Sequence, residues 1–396
     1  MRNRTFQPFL ALAVFSVAAL ALAGLSASAS TPARDDGPIL VGHYASLTGP
    51  EATFGQSTSR GIKLALKEIN AAGGLNGRKI ELKEYDTKGE AKEAGTSVTR
   101  LINSDKVVAV LGEVASSLSL AGGRVAQQYG VPMITPSSTN TTVTAIGPMV
   151  SRVCFIDEFQ GFVGAKFAFE SKKAQNVAIL FDQASAYSKG LKDDFRKAFE
   201  KFGGKVTTEQ AYSKGDPDFT AQLTAIRATK PDMIYVPGYY NDVGNIAVQA
   251  RRLGITVALL GGDGWDSAEL AKIGKDAIVG CYYSNHYAPD QPEAAVREFI
   301  KKYQADYSGA TPDGLAALGY DAAMILFDAM KRAKSLSGKD LSAAINSTKN
   351  FAGVTGSITI DAQRNAQKAA VIVEMKKLAD GTIVPAYAAT IAPEAK

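Results

Sequence analysis

The chain has 396 residues, 46% of them hydrophobic and 21% charged, with a formal net charge of +5. That is ordinary globular composition, with room for one large or two medium domains. Mixed charge without a basic cluster argues against a nucleic-acid partner. Two cysteines and two histidines, with no metal-ligand spacing among them, argue against a metal centre.

The first 29 residues read as a secretory leader. Arg2 and Arg4 precede an apolar run from Phe9 to Leu25, and Ala27-Ser28-Ala29 fits an A-x-A cleavage pattern. The run is at the short end for a spanning helix and its far flank is small and polar. Export with cleavage is therefore expected, and loss of Arg2 and Arg4 lowers the net charge to +3. No second long apolar run follows, so the mature protein is expected to be soluble. Export permits a disulfide between Cys154 and Cys281, although two buried thiols are the plainer reading. No G-x-S-x-G, Walker or G-x-G-x-x-G motif is present. That weakens enzyme readings, and no cofactor is expected.

From residue 39 onward, apolar strand-like runs alternate with helical patterns. "ILVGHYA" (39–45) precedes a helix with Ile62, Leu66 and Ile69 on one face. "KIELKEY" (79–85) precedes a second helix, "VVAVLG" (107–112) a third, and "VPMIT" (131–135) follows. The pattern then restarts. "NVAILF" (176–181) leads to Leu191, Phe195, Ala198 and Phe202, "KVTTEQAY" (205–212) to Phe219, Leu223 and Ile226, and "DMIYVPG" (232–238) to Val243, Ile246, Ala250 and Leu253. Such helical faces are meant for burial on a sheet. Strands that are apolar throughout belong in parallel sheets covered on both sides. The spacing predicts an α/β protein of two doubly wound lobes. His43, on the first strand, reads as a buried, hydrogen-bonded histidine.

The two halves resemble each other. Residues 107–139 lie over 232–263, with Gly112 opposite Gly238 and Gly130 opposite Gly254. The second offset, carried forward, sets Thr139 opposite Asp263. In open α/β sheets ligands bind outside the carboxyl ends of the strands. Two facing lobes would bring "SSLS" (116–119) and "PSST" (136–139) to one wall of a cleft. "GYYN" (238–241) and "GGDGW" (261–265) would form the other.

The first wall offers hydroxyls and a helix start. Ser116 and Ser117 suit an N-cap, and the same geometry holds a carboxylate. Ser137, Ser138 and Thr139 extend it. The second wall holds Asp263 beside Tyr239 and Tyr240. An acid among tyrosines suits an ammonium, by charge-assisted hydrogen bonding and cation–π attraction. Its glycines would let the short acid approach a ligand closely. Trp265 walls the cleft or packs under the loop. Hydroxyls facing an acid describe a zwitterion, of which an α-amino acid is the simplest.

The chain resembles the type I periplasmic binding proteins of the branched-chain amino acid transporters, essentially from end to end of the mature sequence. The stretches that carry the resemblance are "SLTGPEATFGQ", "GIKLALKEINAAGGLNGRKIELKEYD", "GEVASS", "TPSSTN", "RVCFID", "SAYSKG", "YVPGYYNDVGNIAVQARRLG", "GGDGW" and "ALGYDAA". Each is weak alone; their order and spacing are specific. The resemblance implies two lobes joined by a three-segment hinge, crossed near 151–156, 282–287 and 353–358. The first lobe would take 38–152 and 285–353, the second 156–282 and 357–392. It also implies that Ser116, Ser137, Ser138 and Thr139 hold the ligand carboxylate. Asp263 and Tyr239 would hold the ammonium, Tyr187 and Tyr320 would be further cleft tyrosines, and Phe54 an aromatic wall.

Two positions depart from the family's pattern. Asp263 stands where glutamate is frequent, one methylene shorter. Gly89 and Ala115 stand where some members carry the cysteines of a small disulfide loop. The resemblance implies a periplasmic, monomeric, non-enzymatic receptor that closes over an amino acid and delivers it to the membrane permease of an ABC transporter. The same sequence would serve an amino-acid, amide or urea sensor docking to a signalling receptor. An amidohydrolase would need a base and a nucleophile, and only Asp263 with hydroxyls is visible.

Overall fold

The computed structural model describes residues 37–393 of the chain. The expected leader, 1–29, lies outside the described residues. Among the described residues no helix is long and apolar enough to cross a membrane.

Strands β1 (Ile39–Ala45), β2 (Ile80–Asp86), β3 (Ala109–Leu111), β4 (Met133–Thr135) and β5 (Val150–Arg152) form one sheet in the order β2-β1-β3-β4-β5. Every neighbouring pair in it is parallel. Strands β6 (Asn176–Asp182), β7 (Lys205–Tyr212), β8 (Met233–Tyr235), β9 (Leu259–Gly261) and β10 (Tyr282–Asn285) repeat that winding, as β7-β6-β8-β9-β10, again in parallel. Two doubly wound units are therefore present, as the alternation of apolar runs and helical faces implies. The central strands β3, β4, β8 and β9 are buried along their whole length, which explains why they lack polar alternation.

The remaining strands complete the halves. Strands β11 (Phe351–Gly353), β12 (Gly356–Ile360) and β13 (Ala366–Gln367) make a small antiparallel sheet. Strands β14 (Ala370–Lys377) and β15 (Ile383–Ile391) extend the second sheet antiparallel beyond β10.

The chain passes between the sheets after β5 and after β10, near the two expected places. The third passage differs. Ile358, Ile360 and Ala366 pack into the same core as Ile39, Ile80 and Leu326 of the first half. The chain rejoins the second sheet at Ala370, so this passage follows Gln367 rather than lying near 353–358. The apolar alternation of "GSITI" satisfies either sheet, and periodicity alone does not say which.

Helix faces follow the 3.6-residue period with small shifts. In the helix Ala186–Lys201 the buried stripe is Leu191, Phe195 and Phe199; Ala198 and Phe202 are only half-buried. Cys154 and Cys281 are both buried and free, so no disulfide joins them. The Cys154 thiol is pushed up to about 12 by burial. His43 is buried, with Nδ1 3.0 Å from the Leu111 carbonyl oxygen.

The first half is tied together by a close crossing of the helices Ala52–Ala71 and Gly314–Arg332. A Cβ on Gly61 would lie well inside van der Waals contact of the Ala316 carbonyl oxygen, and one on Gly319 inside contact of the Thr58 carbonyl oxygen. Backbone atoms cannot yield as a flexible side chain can. Gly61→Ala is expected to lower unfolding free energy by about 1–3 kcal/mol, read as a lower urea midpoint at unchanged slope.

Candidate functional site

The site begins at the end of β9. Gly262 and Gly264 lie on either side of Asp263, and neither has room for a side chain. A Cβ on Gly262 would strike the Tyr187 hydroxyl and Gln160, and one on Gly264 would lie 2.7 Å from the Gly238 carbonyl oxygen and 2.8 Å from the Tyr239 ring. The close approach these glycines permit is thus to the protein's own neighbouring loops. Trp265 lies wholly buried beneath the turn, donating its indole N–H to the Val236 carbonyl oxygen at 3.0 Å. Of its two expected roles it takes packing.

Asp263 is buried and held from two sides. Its Oδ1 accepts from Gln160 Nε2 at 2.9 Å, and its Oδ2 lies 3.1 Å from His286 Nε2. Gln160 Nε2 also reaches Ser284 Oγ at 3.1 Å. His286 stacks on Phe155, with ring centroids 3.6 Å apart. Burial pushes the His286 imidazole down to about 4 against the pull of Asp263, so the ring is neutral at pH 7. A carboxylate only accepts, so Nε2 carries the ring hydrogen.

The opposite wall comes from the first half. Ser116 opens the helix Ser116–Tyr129, but its hydroxyl is not a cap; it accepts from the Asn140 backbone N–H at 3.2 Å. Ser137 follows β4, with its hydroxyl 3.4 Å from the Val114 carbonyl oxygen. Ser116, Ser137 and Phe54 line one cavity together with Tyr187, Tyr239 and Asp263, and Val114, Gly264 and Leu315 complete it. In this closed form its volume is only about 20 Å³, room for about one water. Tyr187 and Tyr239 stack with centroids 5.3 Å apart, and Phe54 meets Tyr239 edge-on at 5.5 Å. The Tyr187 hydroxyl accepts from the Gly264 N–H at 3.2 Å. Burial raises both tyrosines well above the usual phenol range, so they remain neutral.

Six of the ten expected site residues therefore share this cavity, and four do not. Ser117 Oγ accepts from the Ala186 N–H at 3.1 Å and lines a neighbouring cavity with Glu51 and Lys214. The Ser138 hydroxyl is consumed inside the first half, 2.8 Å from the Val114 carbonyl oxygen and 2.7 Å from Ser119 Oγ. Thr139 is buried in the first half, its carbonyl oxygen accepting at 3.0 Å from the N–H of Asp157, which opens the second half. Tyr320 is elsewhere: it donates to Glu68 at 3.0 Å and packs on Phe299. Its motif marks a helix that crosses Ala52–Ala71, and the hydroxyl is taken by Glu68 of that helix.

The internal correspondence also shifts. The starts of β3 and β8 are 124 residues apart, as are the starts of the helices that follow, at Ser116 and Tyr240. The starts of β4 and β9 are 126 apart. Two extra residues therefore enter between helix and strand in the second half, and Ser137 rather than Thr139 stands opposite Asp263. Gln160, His286, Val114 and Leu315 went unseen in the sequence. His286 lies in the crossing at 282–287, but nothing in its spacing ties it to Asp263.

Direct contacts join the two walls. Lys214 pairs with Glu51 at 2.7 Å, Tyr240 donates to the Pro50 carbonyl oxygen at 2.8 Å, and Thr53 and Ser267 hydroxyls meet at 3.0 Å. The cleft is closed. Sheets of one winding, loops converging from their carboxyl ends and a cavity between them lined by hydroxyls, one acid and aromatic rings define a two-lobed binding protein.

Comparison with known proteins gives the family. Residues 38–382 match the periplasmic binding protein family. A Leu/Ile/Val-binding protein of Rhizobium johnstonii, BraC3, is 34% identical over 81% of this chain and 89% of its own. The leucine-binding protein LivK of Thermotoga maritima superposes with a TM-score of 0.85 at 38% identity, covering 90% of this chain and 99% of that one. LivJ of Streptococcus pneumoniae, solved with isoleucine, superposes with a TM-score of 0.82 at 32% identity, covering 89% and 99%. The chain belongs to the type I periplasmic binding proteins, in the branched-chain amino acid family.

The depressed His286 predicts a pH dependence. As pH falls below about 6.5 the unfolded chain protonates this histidine, while the folded chain does so only near 4. The stability it contributes is present above 6.5 and lost towards 4. His286→Gln removes that component, worth up to about 3 kcal/mol. The melting temperature of the native protein minus that of the variant is expected to be largest at pH 7.5 and to shrink by pH 4.5.

Proposed function

We propose that this protein is the solute receptor of an ABC transporter, which closes over an amino acid with a branched or other small apolar side chain and delivers it to the membrane permease. In this reading the chain is exported, the leader is removed after Ala29, and the protein works as a monomer without catalytic turnover. The observation that carries the reading is one cavity with Asp263 on one wall and Ser116 and Ser137 on the other. The hydroxyls, with the free N–H groups at the start of Ser116–Tyr129, take the carboxylate. Asp263 takes the ammonium, with the tyrosine faces beside it. Phe54, Val114 and Leu315 offer the apolar surface for the side chain.

Two features support this assignment despite the missing methylene. Gln160 and His286 fix both oxygens of Asp263, so a short acid is held in place. A neutral His286 adds no positive charge to repel an ammonium. Micromolar affinity requires about 8 kcal/mol, which one solvent-exposed ion pair does not supply. Water exclusion in the closed cleft, where Asp263 is buried, makes the difference.

Calorimetry with leucine, isoleucine and valine tests the reading. Asp263→Ala is expected to weaken binding by tenfold or more, about 1.4 kcal/mol at least, with the far-UV spectrum unchanged. Unchanged affinity would remove the ammonium site. A thermal-shift screen of the twenty amino acids, urea and short amides names the ligand class, since a bound ligand raises the melting temperature by mass action. A flat screen would overturn the amino-acid reading.

A further inference from the structure

The turn that carries Asp263 also carries Asp266, which belongs to a second cavity. Asp266 is buried; its Oδ2 accepts from the Gly314 N–H at 2.7 Å and from Asn285 at 2.9 Å, and its Oδ1 from the Tyr283 hydroxyl at 3.2 Å. Asp313 is its neighbour, accepting from the Ala316 N–H at 2.9 Å and from the Ser57 hydroxyl. Both acids thereby serve the start of the helix Gly314–Arg332. One carboxylate is enough for a cap, and placing a second beside it is costly. Burial, and then the Asp313 charge, hold the Asp266 carboxyl well above the usual carboxylate range.

Both acids line a cavity of about 420 Å³ that shares no lining residue with the one around Asp263. Asp313 comes from the first half and Asp266 from the second, so this cavity straddles the cleft. Tyr287 lines it too, 1% exposed, with a buried hydroxyl that has no hydrogen-bond partner. An unsatisfied buried hydroxyl is a cost that a ligand could relieve. The other walls are apolar, with Val373 and Met375 from β14 and Ile383 from β15. An apolar pocket of this size with a few convergent polar groups, set between two halves of a fold, has the form of a ligand site.

We propose that this cavity is a second ligand site, for a small organic cation bearing a primary ammonium on an apolar body. An ammonium brings three donors and no acceptor, matching Asp266, Asp313 and the Tyr287 oxygen. Its charge adds to that of Arg60, which already faces Asp313, in offsetting the paired acids, and a neutral guest adds none. Its body displaces water from β14 and β15. Because the acids come from different halves, the bound cation favours the closed form and raises affinity at the Asp263 cavity by linkage. None of this depends on which ligand Asp263 receives.

Calorimetry with benzylammonium chloride, and with benzyl alcohol as the neutral isostere, tests the site. Benzylammonium is expected to bind, with the alcohol weaker by about tenfold or more. Asp313→Asn is expected to weaken benzylammonium by a similar factor, whereas Asp263→Ala leaves it within about twofold. Because Asp313 also caps a helix, a second variant is used: Ala271→Phe adds bulk to the cavity lining and leaves both acids in the chain. It too is expected to weaken binding by about tenfold. No binding of benzylammonium, equal binding of the alcohol, or an unchanged Ala271→Phe affinity would overturn the proposal. Loss of binding in Asp263→Ala would overturn it as well, by placing the cation in the first cavity.

Discussion

A parallel sheet sends all its outgoing loops from one edge, and here two such edges meet across a closed cleft. That constraint decides where chemistry can occur. The short strands β4 and β9, three residues each, deliver Ser137 and Asp263 to opposite walls of one cavity. Their equal winding makes the walls correspond, loop for loop. The helices and the two cores serve to hold these edges in place.

Much of this was legible in the sequence because the relevant signals are local. Apolar runs without alternation announce buried parallel strands, and the restart near residue 176 announces a second unit. Asp263, Ser116 and Ser137 were legible because each closes or follows such a run. What was not legible depends on contacts across the chain. Gln160 lies 103 residues from Asp263 and meets it only through the fold. Ser138 and Thr139 look the same as Ser137 in sequence, yet a one-residue step turns each side chain into a different environment. Tyr320 fails for a related reason: on a helix, direction is set by the partner it crosses, and the sequence does not name the partner.

Asp263 shows how a departure from a family's usual residue can be absorbed. A shorter acid reaches less far, but it also has fewer rotamers to lose. Gln160 and His286 remove most of the remaining freedom, and the Phe155 ring fixes the imidazole in turn. The acid is positioned by a chain of neighbours that begins in the hinge crossing itself. Geometry at Asp263 and geometry at the crossing after β10 are therefore a single arrangement.

The contacts that join the walls outside the ligand cavity have a thermodynamic meaning. Lys214 with Glu51, Tyr240 with Pro50 and Thr53 with Ser267 are made by the protein alone. They set how often the empty receptor visits its closed form. Apparent affinity equals intrinsic affinity scaled by that fraction. Strengthening the rim would tighten capture and slow release to a transporter by the same stroke. The rim, whose residues line no part of the cavity around Asp263, is thus a dial between scavenging at low concentration and rapid turnover at high concentration, and it can be reset without altering what that cavity selects.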